Sequence, residues 1–599
     1  MVMSLDDSQL LRLAADPRTR LFPSLRGSSV FGPIVLLAGL LPCIAAVLSS
    51  EFSDESADWA LRALDASAAT KIQDWLEPGR DGLGSGLIHQ PPLTTWLLAQ
   101  SVPRLGTQQL TNWLVISLAA TTGAIWVTYL LGRRVGGSAF GLITTLVLCG
   151  HPVVLRLATG TSPAAVGLLL IALTVWGFLG HLEGPPQLVS VRMLAGAVAL
   201  GLALLAVGPV AVAMLIPMLL HVWLLAGERV RAGTAGRRET RLWQIWIGMR
   251  SLVVFGVTAI SFSAWWEVMM LADHGSAFWQ SWWTGQAILF STDHHADSFW
   301  RNWLSQNSLI VGWMAVGLAS AIRELRFPSS EHMRRRSQFV LCWWLTAFSL
   351  RSLFELPALQ KSMLMNAWDA SLLLPTAVLT AWGVRTIVLR QTTLFFEAFL
   401  LVSTMGLFVW RATNRPDLGL GGFFLGFIFV ALWPAIVSRI RRYSEPWKER
   451  DWRRLLRAAI VGQVVLHLAA GLFEFPRPSA DSLSLVKLRQ RISNIEAVPR
   501  VTLMTVSTAP ESLLFVLRSH WPNSQFILAG TRDGTTVSDP LAGGETIDST
   551  HEIVIEWTRR EFRLATEFTP NRQTAAIGDY PLRFRERNLM VFRVTPREH

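Results

Sequence analysis

Asp54 and Glu55 stand side by side just after the first long apolar segment of this chain, Phe31 to Leu48. An acid pair at a membrane exit is costly to keep near lipid, so it marks a functional candidate by default. Downstream runs His89-Gln90-Pro91-Pro92-Leu93-Thr94-Thr95-Trp96-Leu97, a rigid double proline leading toward the next span. Farther on, Asp293-His294-His295-Ala296-Asp297 concentrates groups able to hold a metal or a phosphate. The first two features together point to a membrane enzyme whose active site opens on the non-cytoplasmic face. Each residue set also has a plainer reading. Asp54-Glu55 suits a solvated loop end or a helix cap, Pro91-Pro92 a simple turn, and His294-His295 ordinary interfacial histidines. Lys361 suits a lysine snorkelling to the interface.

The elements that must position these residues are membrane spans. Of 599 residues 51% are hydrophobic and only 16% charged, with 27 Trp and 30 Phe against 3 Tyr. No soluble domain of that size needs so apolar a surface, so the chain reads as a polytopic α-helical membrane protein. Spans of roughly 17–25 apolar residues are expected near 30–48, 110–131, 138–157, 162–181, 191–207, 209–227, 251–271, 308–323, 338–354, 370–389, 394–411, 419–438 and 456–474, about thirteen in all. The pair at 191–227 is split around Gly208-Pro209.

The net charge of +12 does not indicate nucleic acid, because the arginines cluster in short loops between apolar runs and there act as an orientation signal. With a cytoplasmic N-terminal segment (1–29), every second loop should be basic. Those loops carry Arg133-Arg134, then Arg229 to Arg241, Arg323 to Arg336, Arg385 and Arg390, and Arg439 to Arg454. Only the loop from His181 to Gln187 is nearly neutral. An odd span count places the tail outside. Asp6, Asp7 and Asp16 argue against a cleavable signal peptide. Cys43, Cys149 and Cys342 all fall in apolar runs and read as small buried hydrophobes.

Two outer loops are long enough to hold structure. In the first, 49–109, the stretch from Ser56 through Asp65 to Trp75 predicts a helix lying along the membrane interface. The second, 272–306, carries Trp279, Trp282, Trp283, Trp300 and Trp303, and reads as interfacial too. After about Pro476 the pattern changes. Leu485, Leu488, Ile492 and Ile495 share one helical face. Strands are expected at Val501–Val506, Gln525–Ala529, Glu552–Trp557 and Leu589–Val594, and a capping box at Thr508-Ala509-Pro510-Glu511 opens a helix to about His520. The expectation is a small extracytoplasmic α/β domain over 476–599, a lid or packing domain, beside a transmembrane domain over 30–475.

Taken in order, the first span, the acid pair, the amphipathic stretch and the Pro-Pro-Leu-x-x-Trp-Leu segment resemble the GT-C membrane glycosyltransferases. The nearest branch is that of bacterial protein O-mannosyltransferases and lipid A aminoarabinose transferases, glycosyltransferase families 39 and 83. Val207-Gly208-Pro209 is similar to that branch's Lys-Gly-Pro, His294-His295 before Phe299-Trp300 to its outer-loop histidine, and Leu373-Leu374-Pro375 after Lys361 to its late span. The resemblance covers about 30–475 and extends to the tail.

It implies a GT-C fold and a polyprenyl-phosphate-linked sugar donor, with a protein, lipid or glycan acceptor, at the outer face of a cell membrane. Asp54 would be the general base, worth typically 10²–10⁴-fold, with Glu55 orienting substrate. His89, Gln90, His294, His295 and Lys361 would surround the leaving phosphate. Two departures stand out. Gln90 replaces a usual lysine, and Thr159-Gly160-Thr161-Ser162-Pro163 holds no acid where many relatives have one. A divalent ion held by that acid in relatives is therefore an open question here. The alternatives are an inactive relative acting as a scaffold, or a lipid or solute transporter. The absence of Asp and Glu from 138–181 and 191–227 argues against ion coupling.

Overall fold

The computed structural model describes residues 54–68, 92–105, 110–161, 163–182, 189–231, 241–276, 306–353, 363–389, 500–505, 511–521 and the strands between 525 and 596. It also describes isolated positions around 37–47, 278, 303–304, 403, 406, 467 and 487–492. The chain forms two compact units. One comprises Met1–Ala45, Ala119–Ala158 and Pro163–Phe475; the other joins Ala46–Leu118, Thr159–Ser162 and Pro476–His599.

The larger unit is a helical bundle. It contains α3 (Val115–Gly136, its first residues excepted), α4 (Ser138–Cys149), α5 (Pro152–Thr159, without its last residue), α6 (Pro163–Leu182), α7 (Val191–Val207) and α8 (Leu215–Arg231). It continues with α9 (Arg241–His274), α10 (Val311–Arg326), α11 (Glu331–Leu353) and α12 (Met363–Leu389). Helix α12 packs against α4, α6, α10 and α11. Between α10 and α12 the backbones nearly touch: a Cβ on Gly317 would fall 1.8 Å from the Leu379 carbonyl oxygen, and one on Gly383 1.8 Å from that of Trp313. Thr386 Oγ1 donates to Ser320 Oγ across the same seam at 2.9 Å. Small residues at a crossing allow this close van der Waals packing, the usual basis of helix association in lipid.

Among the described residues three helices are long and apolar enough to cross a membrane: Val115–Gly136, Pro163–His181 and Met249–His274. On α9 the side chains of Val253, Val257, Ile260, Trp265 and Val268 are exposed, a face suited to hydrocarbon. The run expected as one straight span at 138–157 is instead bent by 68° between α4 and α5. The apolar pattern passes through Gly150-His151-Pro152, but proline has no N–H to continue the ladder. His151 turns its Nδ1 to accept from the Val153 N–H at 3.3 Å. Its ring lies edge-on to that of His467, centroids 6.4 Å apart. At Val207-Gly208-Pro209 helix α7 ends with Gly208 at φ 63°, a conformation that favours glycine, and a 3₁₀ segment leads into α8. The expected spans at 394–411, 419–438 and 456–474 lie almost wholly outside the described residues.

One end of the bundle gathers three loops expected on the same side. Arg134 Nη1 donates to the Trp176 carbonyl at 2.8 Å and its guanidinium covers the Trp176 ring at 5.3 Å. Arg336 Nη1 donates to the Val135 carbonyl at 3.2 Å. Ser190 caps α7 through the Met193 N–H and meets His181 Nδ1 at 3.0 Å. At the start of α11, Glu331 pairs with Arg334 at 3.0 Å and Arg335 at 3.1 Å. Partial burial works to raise the Glu331 carboxyl, but the two guanidiniums outweigh it and hold the group below the ordinary carboxylate range.

The second unit contains α1 (Asp54–Ala68), α2 (Leu93–Leu105), β1 (Arg500–Thr505), α13 (Glu511–His520), β2 (Gln525–Arg532), β3 (Thr535–Thr536), β4 (Glu552–Thr558), β5 (Arg572–Ala576), β6 (Leu582–Phe584) and β7 (Arg587–Pro596). The sheet runs β3-β2-β1-β4-β7-β5, with β6 on β7. Strand β1 is parallel to β2 and β4, whereas β7 is antiparallel to β4, β5 and β6. The β1-α13-β2 crossover is the unit that parallel pairing requires.

One core serves all of it. Ala57, Ala60, Leu61, Ala63 and Ala66 of α1 and Leu98 and Val102 of α2 are buried in one cluster with Leu488, Ile492, Leu513, Leu514, Leu517, Trp521, Ile555 and Val591. This corrects one expectation: the helix beginning at the acid pair packs its apolar face on protein, where an interfacial helix would turn it to lipid. By its contacts the segment 46–118 groups with the tail in one compact unit, whereas the sequence reading sets it with 30–475. The physical reason is the i, i+3, i+4 stripe on α1, which is matched by α13 and the sheet.

Candidate active site

Asp54 and Glu55 are the first two residues of α1. The positive end of a helix dipole lies there, a place where carboxylates are favoured. One turn holds this end in place. Ser56 is buried, and its carbonyl accepts the Thr161 hydroxyl at 2.6 Å while its own Oγ accepts the Thr161 backbone N–H at 3.2 Å. Thr161 is fully buried. Thr161 is thus brought, across 105 residues of chain, to the residue that follows the acid pair.

The far end of α1 is held by an ion pair. Arg518 Nη1 of α13 lies 2.8 Å from Asp65 Oδ1, both side chains largely buried. Between the two ends, Arg62 is buried with its guanidinium 5.7 Å from the Trp59 ring centroid. This cation sits two turns from Asp54, on the same helix, at an i+8 spacing that the sequence displays (Asp54, Asp58, Arg62). Ser56 and Arg62 are residues that sequence reasoning passed over, and Thr161 entered it only as part of a stretch without an acid. Helix α2 follows Pro92 and packs on α1. Trp59 Nε1 and Thr94 Oγ1, one on each helix, are buried donors without a hydrogen-bond partner among the described residues.

His89, Gln90, His294, His295 and Lys361 lie outside the described residues. At Thr161 the hydroxyl is committed to the Ser56 carbonyl and is not offered to a cation. Among the described residues no three His, Cys, Asp or Glu come together.

No protein-family model matches the sequence, and no curated protein sequence does. Solved structures do resemble it. ArnT from Cupriavidus metallidurans bound to undecaprenyl phosphate superposes with a TM-score of 0.60, at 14% identity, covering 94% of this chain and 97% of that one. The apo state of the same ArnT gives 0.59, at 14% identity, covering 94% and 98%. The chain therefore has the fold of ArnT over nearly its whole length, the GT-C fold that the order of its motifs implied.

Proposed function

We propose that this chain, which shares its fold with ArnT, is an inverting glycosyltransferase that moves a sugar from a polyprenyl-phosphate donor to an acceptor at the outer face of the cell membrane. The observation that carries this reading is the likeness to ArnT bound to undecaprenyl phosphate, which spans 94% of the chain, with Asp54-Glu55 opening α1. Asp54 takes the proton of an acceptor hydroxyl. The hydroxyl oxygen attacks the anomeric carbon, the bond from that carbon to the phosphate oxygen breaks, and polyprenyl phosphate leaves with its charge. Glu55 orients substrate. His89, Gln90, His294, His295 and Lys361 receive the leaving phosphate, with the buried Arg62 as a further cation on α1. No step is assigned to a metal.

The test is transfer of radiolabelled sugar from a panel of polyprenyl-phosphate sugars in membranes containing the protein. Transfer from at least one donor is the expected result. A folded protein inert with every donor would favour a non-catalytic relative serving as a membrane scaffold.

The orientation in this reading places the tail 476–599 in the extracytoplasmic space of a bacterial inner membrane. It is supported by the basic loops around Arg134 and Arg336 meeting at one end of the bundle. Reporter fusions after Arg238 and after Pro476 are expected to report opposite sides. The same side for both would sink the topology.

A further inference from the structure

We infer that Thr161 is a positioning residue for the Asp54 carboxylate, acting through Ser56; this rests on the reading of Asp54 as the base. A first helical turn is the part of a helix most prone to fray, since its N–H groups lack partners within the helix. Helix α1 has only 15 residues, near or below the length at which isolated helices hold together in water. Its middle is anchored by the shared apolar core and its last turn by the Asp65–Arg518 pair. The first turn, with both candidate acids, is held by Ala57 in that core and by Thr161.

The chemistry of that contact selects the residue. The Ser56 carbonyl is an acceptor, so its partner must donate; the Thr161 hydroxyl does so at 2.6 Å. An ionised carboxylate at 161 could only accept and would face the carbonyl with like polarity. The second bond runs the other way in the chain, from the Thr161 N–H to Ser56 Oγ at 3.2 Å. Two bonds between one pair of residues fix translation and rotation of the turn together. Both residues are buried, so water does not easily replace a lost bond. The β-branched side chain also keeps few rotamers, which limits the entropy lost in holding the hydroxyl on target. In this chain, then, Thr161, in a stretch that holds no acid, serves to aim the acid pair.

Thr161→Val keeps the shape and the N–H bond but removes the hydroxyl; Thr161→Ser keeps the hydroxyl. In full-length protein in lipid nanodiscs, Thr161→Val is expected to speed backbone hydrogen exchange over residues 54–58. It should lower kcat about 10-fold, as expected for a small misplacement of a reacting group, with donor KM nearly unchanged. Thr161→Ser should restore both. A purely structural loss would instead reduce the amount of folded protein and leave kcat per folded molecule intact. If Thr161→Val accumulates poorly, Ser56→Ala removes the other bond and should give the same pattern in smaller measure. Unchanged exchange over 54–58 in folded Thr161→Val overturns the inference whatever the activity. Wild-type kcat in that variant, when Asp54→Asn has lost transfer, overturns it as well. Full transfer by Asp54→Asn would instead remove the base assignment, which the exchange measurement does not touch.

Discussion

Asp54→Asn should slow sugar transfer by about 100-fold or more, the scale of general-base assistance, while the protein inserts and folds as before. The substitution keeps the shape and hydrogen-bonding capacity of the side chain and removes only its basicity. It also keeps a residue accepted at the start of a helix, so α1 should survive it. The loss belongs in kcat and kcat/KM alike, because the proton moves only on the way to the transition state. Glu55→Gln should cost less, since an orienting group loses hydrogen-bond strength and keeps its geometry. The measurement is single-turnover transfer from whichever polyprenyl-phosphate sugar the wild type accepts, scaled to folded protein. Wild-type rates for Asp54→Asn would end the mechanism.

The second large effect concerns stability and lies in the seam of α10 and α12. Gly317→Ala places a methyl group 1.8 Å from the Leu379 carbonyl oxygen, where no side-chain rotation can relieve the overlap. The helices must separate, and the Thr386–Ser320 hydrogen bond must stretch with them. We expect a cost of about 3 kcal/mol, at the upper end for overpacking, and a larger one for Gly317→Leu. Gly383→Ala should behave alike, because its Cβ meets the Trp313 carbonyl at the same distance. Gly256→Ala is the control: no atom lies within 4 Å of a Cβ there, so its melting temperature should hold or rise slightly. Thermal unfolding in detergent, followed by intrinsic Trp fluorescence, ranks the four variants. Equal melting temperatures for Gly317→Ala and Gly256→Ala would contradict the close crossing.

What could be read from the chain was whatever depends on local pattern. The tail strands at 500–505, 525–532, 552–558 and 587–596 follow from apolar runs between turn residues. Helix α13 starts where the capping box ends, and Leu488 and Ile492 are buried as one helical face requires. The short strands β3, β5 and β6 were not legible, since Thr535-Thr536 or Arg572–Ala576 becomes a strand only by pairing with a neighbour. The bend at Gly150-His151-Pro152 was hidden for a related reason: hydropathy averages over it, although the Pro152 ring alone forbids a straight ladder. Least visible was the partner of α1. An amphipathic stripe says that a face must be covered but not by what, and lipid and α13 satisfy the same pattern. Thr161 shows this limit at the site itself. Sequence reasoning registered it as an acid that is missing, whereas its contribution is a donor to a carbonyl 105 positions earlier, a fact of three dimensions only.

The three-part build of the second unit also sets a clock on the making of this protein. Asp65 leaves the ribosome long before Arg518, and at about 5–20 residues per second the roughly 450 residues between them take on the order of 20–90 s to synthesise. Throughout that interval the alanine stripe of α1 has neither α13 nor the sheet to cover it. The helix that carries the acid pair must wait, bare or sheltered by lipid or a chaperone, while the later spans are threaded. A nascent chain halted before the tail would hold its spans and its acids and still lack the partner that sets them, so a premature stop would leave an inserted, inert protein.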